Sequence, residues 1–467
     1  MRHVGGGAGA RGMSRLVVVS NRVALPKEVR AGGLASAMHA ALSEIGGLWF
    51  GWSGRTVSEE ERELRTEHAG RIEYALLDLT RADYEQYYLG FANRTLWPLL
   101  HFRPSLLDYR RRDFAGYLRV NRLFAERLAP LLRADDLVWI HDYHLIPLAG
   151  ELRRLGVDAR IGFFLHVPLP PPALLATLPH HEHLFTALGA CDLVGLQGAR
   201  DRDALLAYLG EESGAAIEPG GDAVFPDGRR VRVRALPIGI DTAEVARQAR
   251  AAATSAATKR LVRSLEGRKL AIGVDRLDYS KGLPQRFEAF AHFLSQHPEW
   301  RSRVSFLQIA PPSREEVPEY RELRSRLERL AGATNGRYAE PDWVPIRYVN
   351  RSFNQATLAG FYRVADIGVV TPLRDGMNLV AKEFVASQPP EDPGVLILSS
   401  FAGAADELRE AIIINPVDVD DIAESIEAAL SMPLPERRER WQAMFASISR
   451  NDISRWRTRF IEELAAT

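Results

Sequence analysis

Short runs of apolar residues recur along the chain, and each is followed by a polar or glycine-containing loop and a segment with helical spacing. The runs carry no alternating polar positions, which is typical of parallel strands covered by helices on both faces. They lie at residues 16–19, 137–140, 161–165, 193–196, 270–274, 304–309, 367–370, 395–398 and 412–414. The pattern therefore predicts an α/β protein whose strands are too many for a single sheet.

Helical spacing and turn residues predict where the chain divides. A helix starts near Pro284 and places Phe287 and Leu294 on one buried face. Residues 236–241, which read Leu-Pro-Ile-Gly-Ile-Asp, close the first half, and the Pro- and Gly-rich stretch 213–230 before them predicts surface turns. We therefore expect two doubly wound, Rossmann-like domains that face each other across a cleft, with ligand-binding loops at the carboxyl ends of both sheets.

Composition excludes several classes of protein. The chain has 467 residues with 60 Lys and Arg against 60 Asp and Glu, so it offers no electrostatic footprint for nucleic acid or an anionic membrane. No apolar run approaches the about 20 residues of a membrane span. The single Cys191 excludes an intrachain disulfide framework and a cysteine-only metal site. Residues 1–12 are Gly-rich and lack the apolar stretch of a secretory signal, which predicts a disordered tail. We expect a cytoplasmic protein with no nucleic-acid or membrane partner; a homo-oligomer stays open.

Polar side chains follow three strands of the first half. Arg22 ends one strand, where its guanidinium can donate two parallel hydrogen bonds to a phosphate, or it is simply a surface arginine. Asp142 follows the second strand, where it either caps a helix or holds a sugar hydroxyl. His166 follows the third strand, where it either contacts a ligand or has a purely structural role, with its hydrogen bonds made inside the protein. The paired glycines Gly32 and Gly33 can let the backbone approach a ligand, or they form a simple turn.

Two cations lie in one strand-to-helix loop of the second half. Arg276 and Lys281 flank this loop, so both can converge on one anion beside the amide groups at the start of a helix. The loop is neither a Walker A motif nor a GxGxxG motif, so nucleotide hydrolysis is not indicated. Paired cations at a helix start suit the diphosphate leaving group of a group transfer.

A second loop of this half carries two carboxylates. Asp375 lies in an Asp-Gly turn between a strand and a helix, and Glu383 lies eight residues further on. One carboxylate can accept hydrogen bonds from a sugar and the other from a ribose. The alternative is a helix cap followed by a solvated glutamate.

Possible metal ligands are sparse. The histidine groups at 141–144 and 180–183 lack a further ligand with matching spacing. The two Asp-x-Asp triplets, at 201–203 and 418–420, are both predicted to start helices. The sequence therefore predicts no metal and no cofactor.

These segments belong to a series of motifs that reads, in order, VVVSNR, AGGL, GGLWFGWSG, LWPLLHFR, WIHDYHL, GFFLHVPLPPP, PIGID, RLDYSKGLPQR, QIAPPSR, VTPLRDGMNLVAKE and SSFAGAA. Together these motifs resemble the trehalose-6-phosphate synthases, and the resemblance runs from about Ser14 to the C-terminus. It implies a retaining, metal-independent glycosyltransferase of the GT-B fold, glycosyltransferase family 20, which transfers glucose from a nucleotide diphosphate glucose, usually UDP-glucose, to glucose 6-phosphate.

The resemblance also implies roles for individual residues. The acceptor site, for glucose 6-phosphate, would consist of Arg22, Tyr88, Asp142 and Arg314. The donor site, for the nucleotide sugar, would consist of Gly32, Gly33, His166, Arg276, Lys281, Phe353, Asp375, Gly376, Met377, Asn378, Leu379, Val380, Ala381, Lys382 and Glu383. The catalytic set within these sites is Asp142, His166, Arg276, Lys281 and Asp375. Trp97 and Val167 would select the anomer of the acceptor.

The resemblance assigns residues 13–240 to acceptor binding, 241–450 to nucleotide-sugar binding and 451–467 to a helix that returns to the first domain. Three alternatives stay open. The same fold can make glucosylglycerol phosphate from glycerol 3-phosphate, it can act as a non-catalytic sugar-phosphate sensor, or it can be a phosphorylase with pyridoxal phosphate on Lys281 or Lys382. The donor base, among UDP, GDP and ADP, is not readable from the residues.

Overall fold

The computed structural model describes residues 14–25, 34–314 and 316–467. Its strands form two sheets, one of ten strands from the first half of the chain and one of six strands from the second half. The expected α/β class and its division into two sheets are confirmed. The tail 1–12 lies outside the described residues.

The first sheet is parallel in its centre and antiparallel at both edges. Its order is β3-β4-β2-β1-β5-β6-β7-β10-β9-β8, and β3 and β9 run against their neighbours. The predicted surface turns within 213–230 form at residues 219–220 and 226–227, and β8 and β9 pair around the first of them as a short edge hairpin that the sequence analysis did not predict. The strands are β1 (Leu16–Arg22), β2 (Gly47–Val57), β3 (Leu64–Ala69), β4 (Ile72–Thr80), β5 (Leu137–His141), β6 (Arg160–Phe164), β7 (Leu193–Leu196), β8 (Ala216–Ile217), β9 (Asp222–Val224) and β10 (Arg230–Ala235).

Helices connect and cover these strands. A π-helical stretch, Tyr84–Leu96, joins α2 to α3 and packs along α4. The helices of this lobe are α1 (Leu34–Ile45), α2 (Arg81–Asp83), α3 (Trp97–Leu100), α4 (Arg111–Leu128), α5 (Leu148–Arg154), α6 (Pro172–Leu175), α7 (His181–Phe185) and α8 (Ala199–Ser213). Short 3₁₀ turns lie at Pro104–Leu106, Ala129–Leu131, Tyr143–Leu145 and Thr186–Ala190.

The second sheet is parallel throughout, in the order β13-β12-β11-β14-β15-β16. Its strands are β11 (Lys269–Val274), β12 (Val304–Ile309), β13 (Ile346–Val349), β14 (Ile367–Val370), β15 (Val395–Ser399) and β16 (Ile412–Ile414). The helices are α9 (Thr242–Ala252), α10 (Ala256–Leu265), α11 (Leu283–Gln296), α12 (Pro318–Tyr338), α13 (Gln355–Arg363), α14 (Leu379–Ser387), α15 (Val419–Ser431), α16 (Leu434–Arg450) and α17 (Ile453–Ala465), with 3₁₀ turns at Tyr279–Lys281, Pro298–Trp300 and Gly403–Asp406.

The helix predicted near Pro284 is α11, and its buried face is the one that the sequence predicts. Gly282, with a φ of 63°, ends the preceding turn, and Pro284 occupies the first helical turn, where a missing N–H costs no hydrogen bond. Phe287 and Leu294 are both fully buried.

The last helix returns to the first lobe. Asp452 caps α17, since its carboxylate accepts a hydrogen bond from the Arg455 amide at 2.8 Å. The Phe460 ring then stacks on Trp139 of β5, with centroids 4.3 Å apart. A Cβ on Gly162 of β6 would lie 2.8 Å from that ring, so glycine is what allows the helix to pack so closely on the sheet. Within the described ranges, no helix is long and apolar enough to cross a membrane.

Candidate active site

The cleft between the lobes is lined by loops that follow parallel strands, as expected for a doubly wound fold. Arg22, Asp142 and His166 follow β1, β5 and β6 of the first lobe. Arg276 and Asp375 follow β11 and β14 of the second lobe. Two sheets thus present their carboxyl ends to one space.

Asp142 turns inward, and it does not cap the turn that follows it. Its φ is 76°, an uncommon value for a residue with a side chain. Its carboxylate accepts a hydrogen bond from the His166 amide at 3.3 Å, and no side-chain cap bond to the following turn is found within the described chain. Burial raises the pKa of Asp142 to about 6, against the lowering effect of the Tyr143 and His166 amides. The helix-cap alternative is therefore wrong for Asp142.

Arg314 reaches from the second lobe onto an aromatic wall of the first. Its guanidinium lies 3.9 Å from the centroid of the Trp97 ring, a cation–π geometry. It also donates to the Tyr320 hydroxyl at 2.8 Å and to the Tyr143 hydroxyl at 3.3 Å. Burial alone would lower the pKa of Arg314, but Tyr143, Tyr320 and Asp278 raise it overall, so the guanidinium stays protonated.

The other acceptor candidates lie on the first lobe. Tyr88 stacks on His144 with centroids 5.7 Å apart. Arg22 is exposed at the end of β1 and lies against Gly54, where a Cβ would be 2.9 Å from its Nε. The side chain of Val167 is buried.

Lys281 and Asp375 form an ion pair inside the cleft, with Nζ and Oδ2 2.5 Å apart. Burial alone would lower the pKa of Lys281, but Asp375 and Asp275 outweigh it and raise that pKa. Burial would likewise raise the pKa of Asp375, but Lys281 holds it below its usual value. Both groups are therefore charged at neutral pH. Arg276, from the same loop as Lys281, is exposed, and its guanidinium lies 5.5 Å from the Trp97 ring centroid.

The turn after β14 brings main chain from both lobes together. A Cβ on Gly376 would lie 2.3 Å from the backbone oxygen of His166, so only glycine permits this approach. Asn378, with a φ of 78°, caps α14 by accepting from the Ala381 amide at 3.1 Å, and it also donates to Asp375 at 3.0 Å. Met377 is buried, and the partly buried Leu379 and Val380 with Ala381 form the first turn of the helix.

Glu383 and Lys382 differ from the simple expectations. Glu383 is partly buried, so the solvated-glutamate alternative is wrong; burial raises its pKa to about 7, against a hydrogen bond from Gln355. Lys382 is fully buried, and its Nζ donates to the Ile238 carbonyl at 2.8 Å and pairs with Glu407 at 2.7 Å. The side chain of Lys382 therefore ties α14 to the linker between the lobes, and only its main chain can serve the donor site.

Phe353 is described by the structure, whereas the two predicted glycines are not. Phe353 is partly buried against Phe361, with centroids 5.4 Å apart, and the Arg351 guanidinium covers its ring. Gly32 and Gly33 lie outside the described residues.

Sequence reasoning missed His101. It is buried beside Trp97, and its Nδ1 donates to the Trp97 carbonyl at 2.8 Å. Burial lowers the pKa of His101 to about 4, against the raising effect of the Asp278 charge, and the nearby charges of Lys281 and Asp375 act on this pKa in opposite directions. No predicted strand precedes this residue, so a search for polar groups at strand ends passes over it.

The possible metal ligands are engaged elsewhere. His181 contacts the Tyr208 hydroxyl at 2.7 Å, and Asp201, in the first turn of α8, accepts from the Leu169 amide at 2.9 Å. Asp418 caps α15, as predicted for a helix start. Across residues 14–25, 34–314 and 316–467, no three histidine, cysteine or acidic side chains group as metal ligands.

Two facing doubly wound lobes, whose loops after the strands line one cleft, are the architecture of the GT-B class of glycosyltransferases. The sequence profile of Glycosyltransferase family 20 matches residues 14–466, and the chain belongs to this family. The resemblance seen in the sequence is confirmed.

Relatives cover nearly the whole chain. A trehalose-6-phosphate synthase from Sinorhizobium fredii is 50% identical over 460 residues, which are 97% of this chain and 99% of the relative. A UDP-forming α,α-trehalose-phosphate synthase from Burkholderia xenovorans, solved with glucose-6-phosphate, is 48% identical at a TM-score of 0.93 and covers 97% of this chain and 100% of its own. A structure from E. coli with bound UDP-2-fluoro glucose is 44% identical at a TM-score of 0.93, covering 97% and 99%.

Proposed function

We infer that this chain is a UDP-forming trehalose-6-phosphate synthase, which transfers glucose from UDP-glucose to glucose 6-phosphate and yields α,α-trehalose 6-phosphate. The observation that carries this inference is the position of Arg314. This residue of the second lobe lies on the Trp97 ring of the first lobe, while Lys281 of the second lobe pairs with Asp375 in the same cleft. Two phosphate-binding cations are thus available, one for a sugar phosphate and one for a diphosphate. Relatives in complex with glucose-6-phosphate and with UDP-2-fluoro glucose support both substrates.

The acceptor site is proposed to lie between Arg314, Arg22 and Asp142. A guanidinium binds phosphate oxygens through paired, charge-assisted hydrogen bonds, and Arg314 is already held in place by two tyrosine hydroxyls. The Asp142 carboxylate, with a pKa of about 6, is ionised at neutral pH and can accept from sugar hydroxyls. Tyr88 would complete the acceptor site, and Trp97 and Val167 would select the anomer of the acceptor.

The donor site is proposed to lie on the second lobe. An ammonium group has three N–H donors, so Lys281 can hold Asp375 and a phosphate oxygen at once. Arg276 would take the other side of the diphosphate, and the amide groups at the start of α14 add further donors. Glu383 would accept from the ribose hydroxyls, Phe353 would face the base, and His166 and Asp375 would contact the transferred glucose.

The reaction proposed for this site proceeds on one face of the sugar, so the α configuration of the donor is retained. The bond from glucose C1 to the diphosphate oxygen breaks, and the hydroxyl on C1 of the acceptor forms the new glycosidic bond. The departing phosphate oxygen takes the proton of that hydroxyl. Arg276 and Lys281 stabilise the negative charge that grows on the leaving group, and one such fixed donor is worth about 3–4 kcal/mol.

Product analysis tests this function. The purified protein is incubated with glucose 6-phosphate and, in separate reactions, with UDP-, GDP- and ADP-glucose, and the products are identified by NMR. We expect α,α-trehalose 6-phosphate with release of UDP. Transfer to glycerol 3-phosphate in place of glucose 6-phosphate, or binding of both substrates without release of a nucleotide, would overturn the inference. Because phosphorylated sugars are intracellular metabolites, we also propose that the enzyme works in the cytoplasm.

A further inference from the structure

One buried histidine of the first lobe contacts a candidate catalytic residue and has no role in the reaction described above. His141 is the last residue of β5, and its side chain is inaccessible to solvent. Its Nδ1 lies 3.1 Å from Nε2 of His166, which follows the neighbouring strand β6 and is partly exposed. The two rings are nearly parallel, with centroids 5.4 Å apart.

The contact needs one N–H and one lone pair. Burial holds the pKa of His166 at about 3 and that of His141 well below its usual value, so both rings are neutral at physiological pH. A neutral imidazole has one donor nitrogen and one acceptor nitrogen. Either His141 donates through Nδ1–H, or His166 donates through Nε2–H.

The second ring nitrogen of His141, Nε2, decides between these two arrangements. Its Nε2 is buried and has no hydrogen-bond partner in the described part of the chain. If His166 were the donor, His141 would carry its own proton on Nε2, and a buried N–H would be left unpaired. If His141 is the donor, only a lone pair is left unpaired, and orphaned N–H groups are the rarer case in proteins.

The neighbouring tryptophan favours the same arrangement. The Trp139 ring centroid lies 4.6 Å from that of His141, and its Nε1–H is also buried without a partner in the described residues. An indole nitrogen can only donate. A proton on Nε2 of His141 would therefore add a second unpaired donor to the same buried region of the described chain.

We propose that His141 is a positioning residue that donates to Nε2 of His166 and thereby fixes the proton of His166 on Nδ1. The Nδ1–H is then the free donor of the partly exposed ring. This Nδ1–H donates a hydrogen bond to an oxygen of the transferred glucose. It thereby favours donor sugars that carry a hydrogen-bond acceptor at the position that His166 contacts. This rests on the proposed function, since it is the donor glucose that His166 contacts.

The protonation pattern is read first on the free enzyme, independently of activity. Protein labelled with ¹⁵N-histidine gives ring-nitrogen shifts, and His166→Gln assigns the signals of His166. We expect protonated Nδ1 and unprotonated Nε2 in His166. A wild-type protein with the proton of His166 on Nε2 overturns the proposal, whether or not the protein makes trehalose 6-phosphate.

Two variants then test the effect on catalysis. His141→Phe keeps an aromatic ring but loses the donor, and we expect kcat to fall about tenfold, the value of one hydrogen bond of about 1.4 kcal/mol, with the acceptor KM unchanged. His141→Asn places an amide N–H where Nδ1 was, and it is expected to restore kcat to within about threefold. His181→Phe, which removes a histidine paired with a tyrosine hydroxyl in the same lobe, is the matched control and leaves kcat unchanged. Equal losses in the Phe and Asn variants of His141 contradict the proposal, and the shifts of the wild-type protein decide the matter if His141→Phe does not fold.

Discussion

At the scale of single residues, the structure adds charge state to what the sequence indicates. The sequence predicts that Lys281 and Asp375 belong to one site, because both follow strands of the second sheet. It does not show that they form an ion pair, since 94 residues separate them. Nor does it show that Lys382, the next-to-last residue of the motif that contains Asp375, turns away into a buried pair with Glu407. Burial and pairing depend on the assembled fold.

Removal of the ammonium group of Lys281 tests the leaving-group role. Lys281→Ala is expected to lower kcat at least about a hundredfold, because one fixed cation near the departing phosphate is worth about 3–4 kcal/mol. The matched control is Lys269→Ala, which breaks an exposed pair with Asp366 and leaves turnover unchanged. Steady-state release of UDP measures both, and near-normal turnover in Lys281→Ala would remove it from the leaving-group site.

Arg314 tests the acceptor site. Arg314→Ala is expected to raise the KM for glucose 6-phosphate at least about tenfold and to leave the donor KM unchanged, since a charge-assisted bidentate contact is lost. Arg301→Ala removes another arginine that covers an aromatic ring, that of Tyr338, and serves as the control. An acceptor KM that does not change in Arg314→Ala contradicts the assignment.

Glu383 predicts a pH dependence of donor binding. Its pKa is raised to about 7 by burial, so the carboxylate becomes ionised, and a better acceptor for ribose hydroxyls, as the pH rises through 7. The donor KM is expected to fall between pH 6 and 8, and Glu383→Gln to flatten that dependence. Between the ordinary glutamate pKa of 4.5 and about 7, the folded protein keeps a proton on Glu383 that the unfolded chain has lost, so the contribution of Glu383 to stability falls as the pH rises through this window. An identical pH profile in the Gln variant would falsify the role.

At the scale of elements, the buried strands of both sheets are readable from the sequence, and the edges are not. The run 270–274 within β11 and the whole of β14 are apolar because both of their faces are covered. β8 has two residues, both exposed, and no pattern of that length is distinctive. The π-helical stretch Tyr84–Leu96 is equally hidden, because its extra residue per turn leaves no helical spacing to find.

The buried pair on α14 gives a prediction at this scale. Lys382→Met leaves Glu407 without its partner and the Ile238 carbonyl without its donor, and we expect a loss of about 3–5 kcal/mol of stability. The double variant Lys382→Met with Glu407→Leu removes the stranded charge and is expected to recover part of that loss. Thermal unfolding of the three proteins measures the difference. A double variant as unstable as the single one contradicts the pairing.

At the scale of the whole molecule, the sequence predicts two facing lobes, and the resemblance implies that residues 451–467 return to the first one, but neither shows which side chains make the contacts. The break near residues 236–241 separates the two sheets. The return of α17 to the first sheet depends on glycines at positions 162 and 195, whose meaning appears only when Phe460 packs against them. For the same reason, His101 enters the site from a segment without a strand before it.

The contact between the lobes at Gly376 tests closure of the cleft. Gly376→Ala would bring a Cβ to 2.3 Å from the His166 backbone oxygen, so the lobes must separate to accept it. We expect kcat to fall at least about tenfold, because closure assembles groups from both lobes. Gly336→Ala, on α12, meets nothing within 4 Å in the described chain and is the control. Small-angle scattering reports the separation, and an unchanged kcat with an unchanged profile contradicts the contact.

The proposed function requires that the later lobe holds the diphosphate of an activated glucose while Arg314 holds the phosphate of the acceptor. A crystal structure of the enzyme with glucose 6-phosphate and UDP-2-fluoro glucose bound together tests this placement of the substrates. We expect the diphosphate between Arg276 and Lys281, and the acceptor phosphate on Arg314 beside Trp97. A diphosphate remote from Arg276 and Lys281, with both side chains directed into solvent, would contradict it.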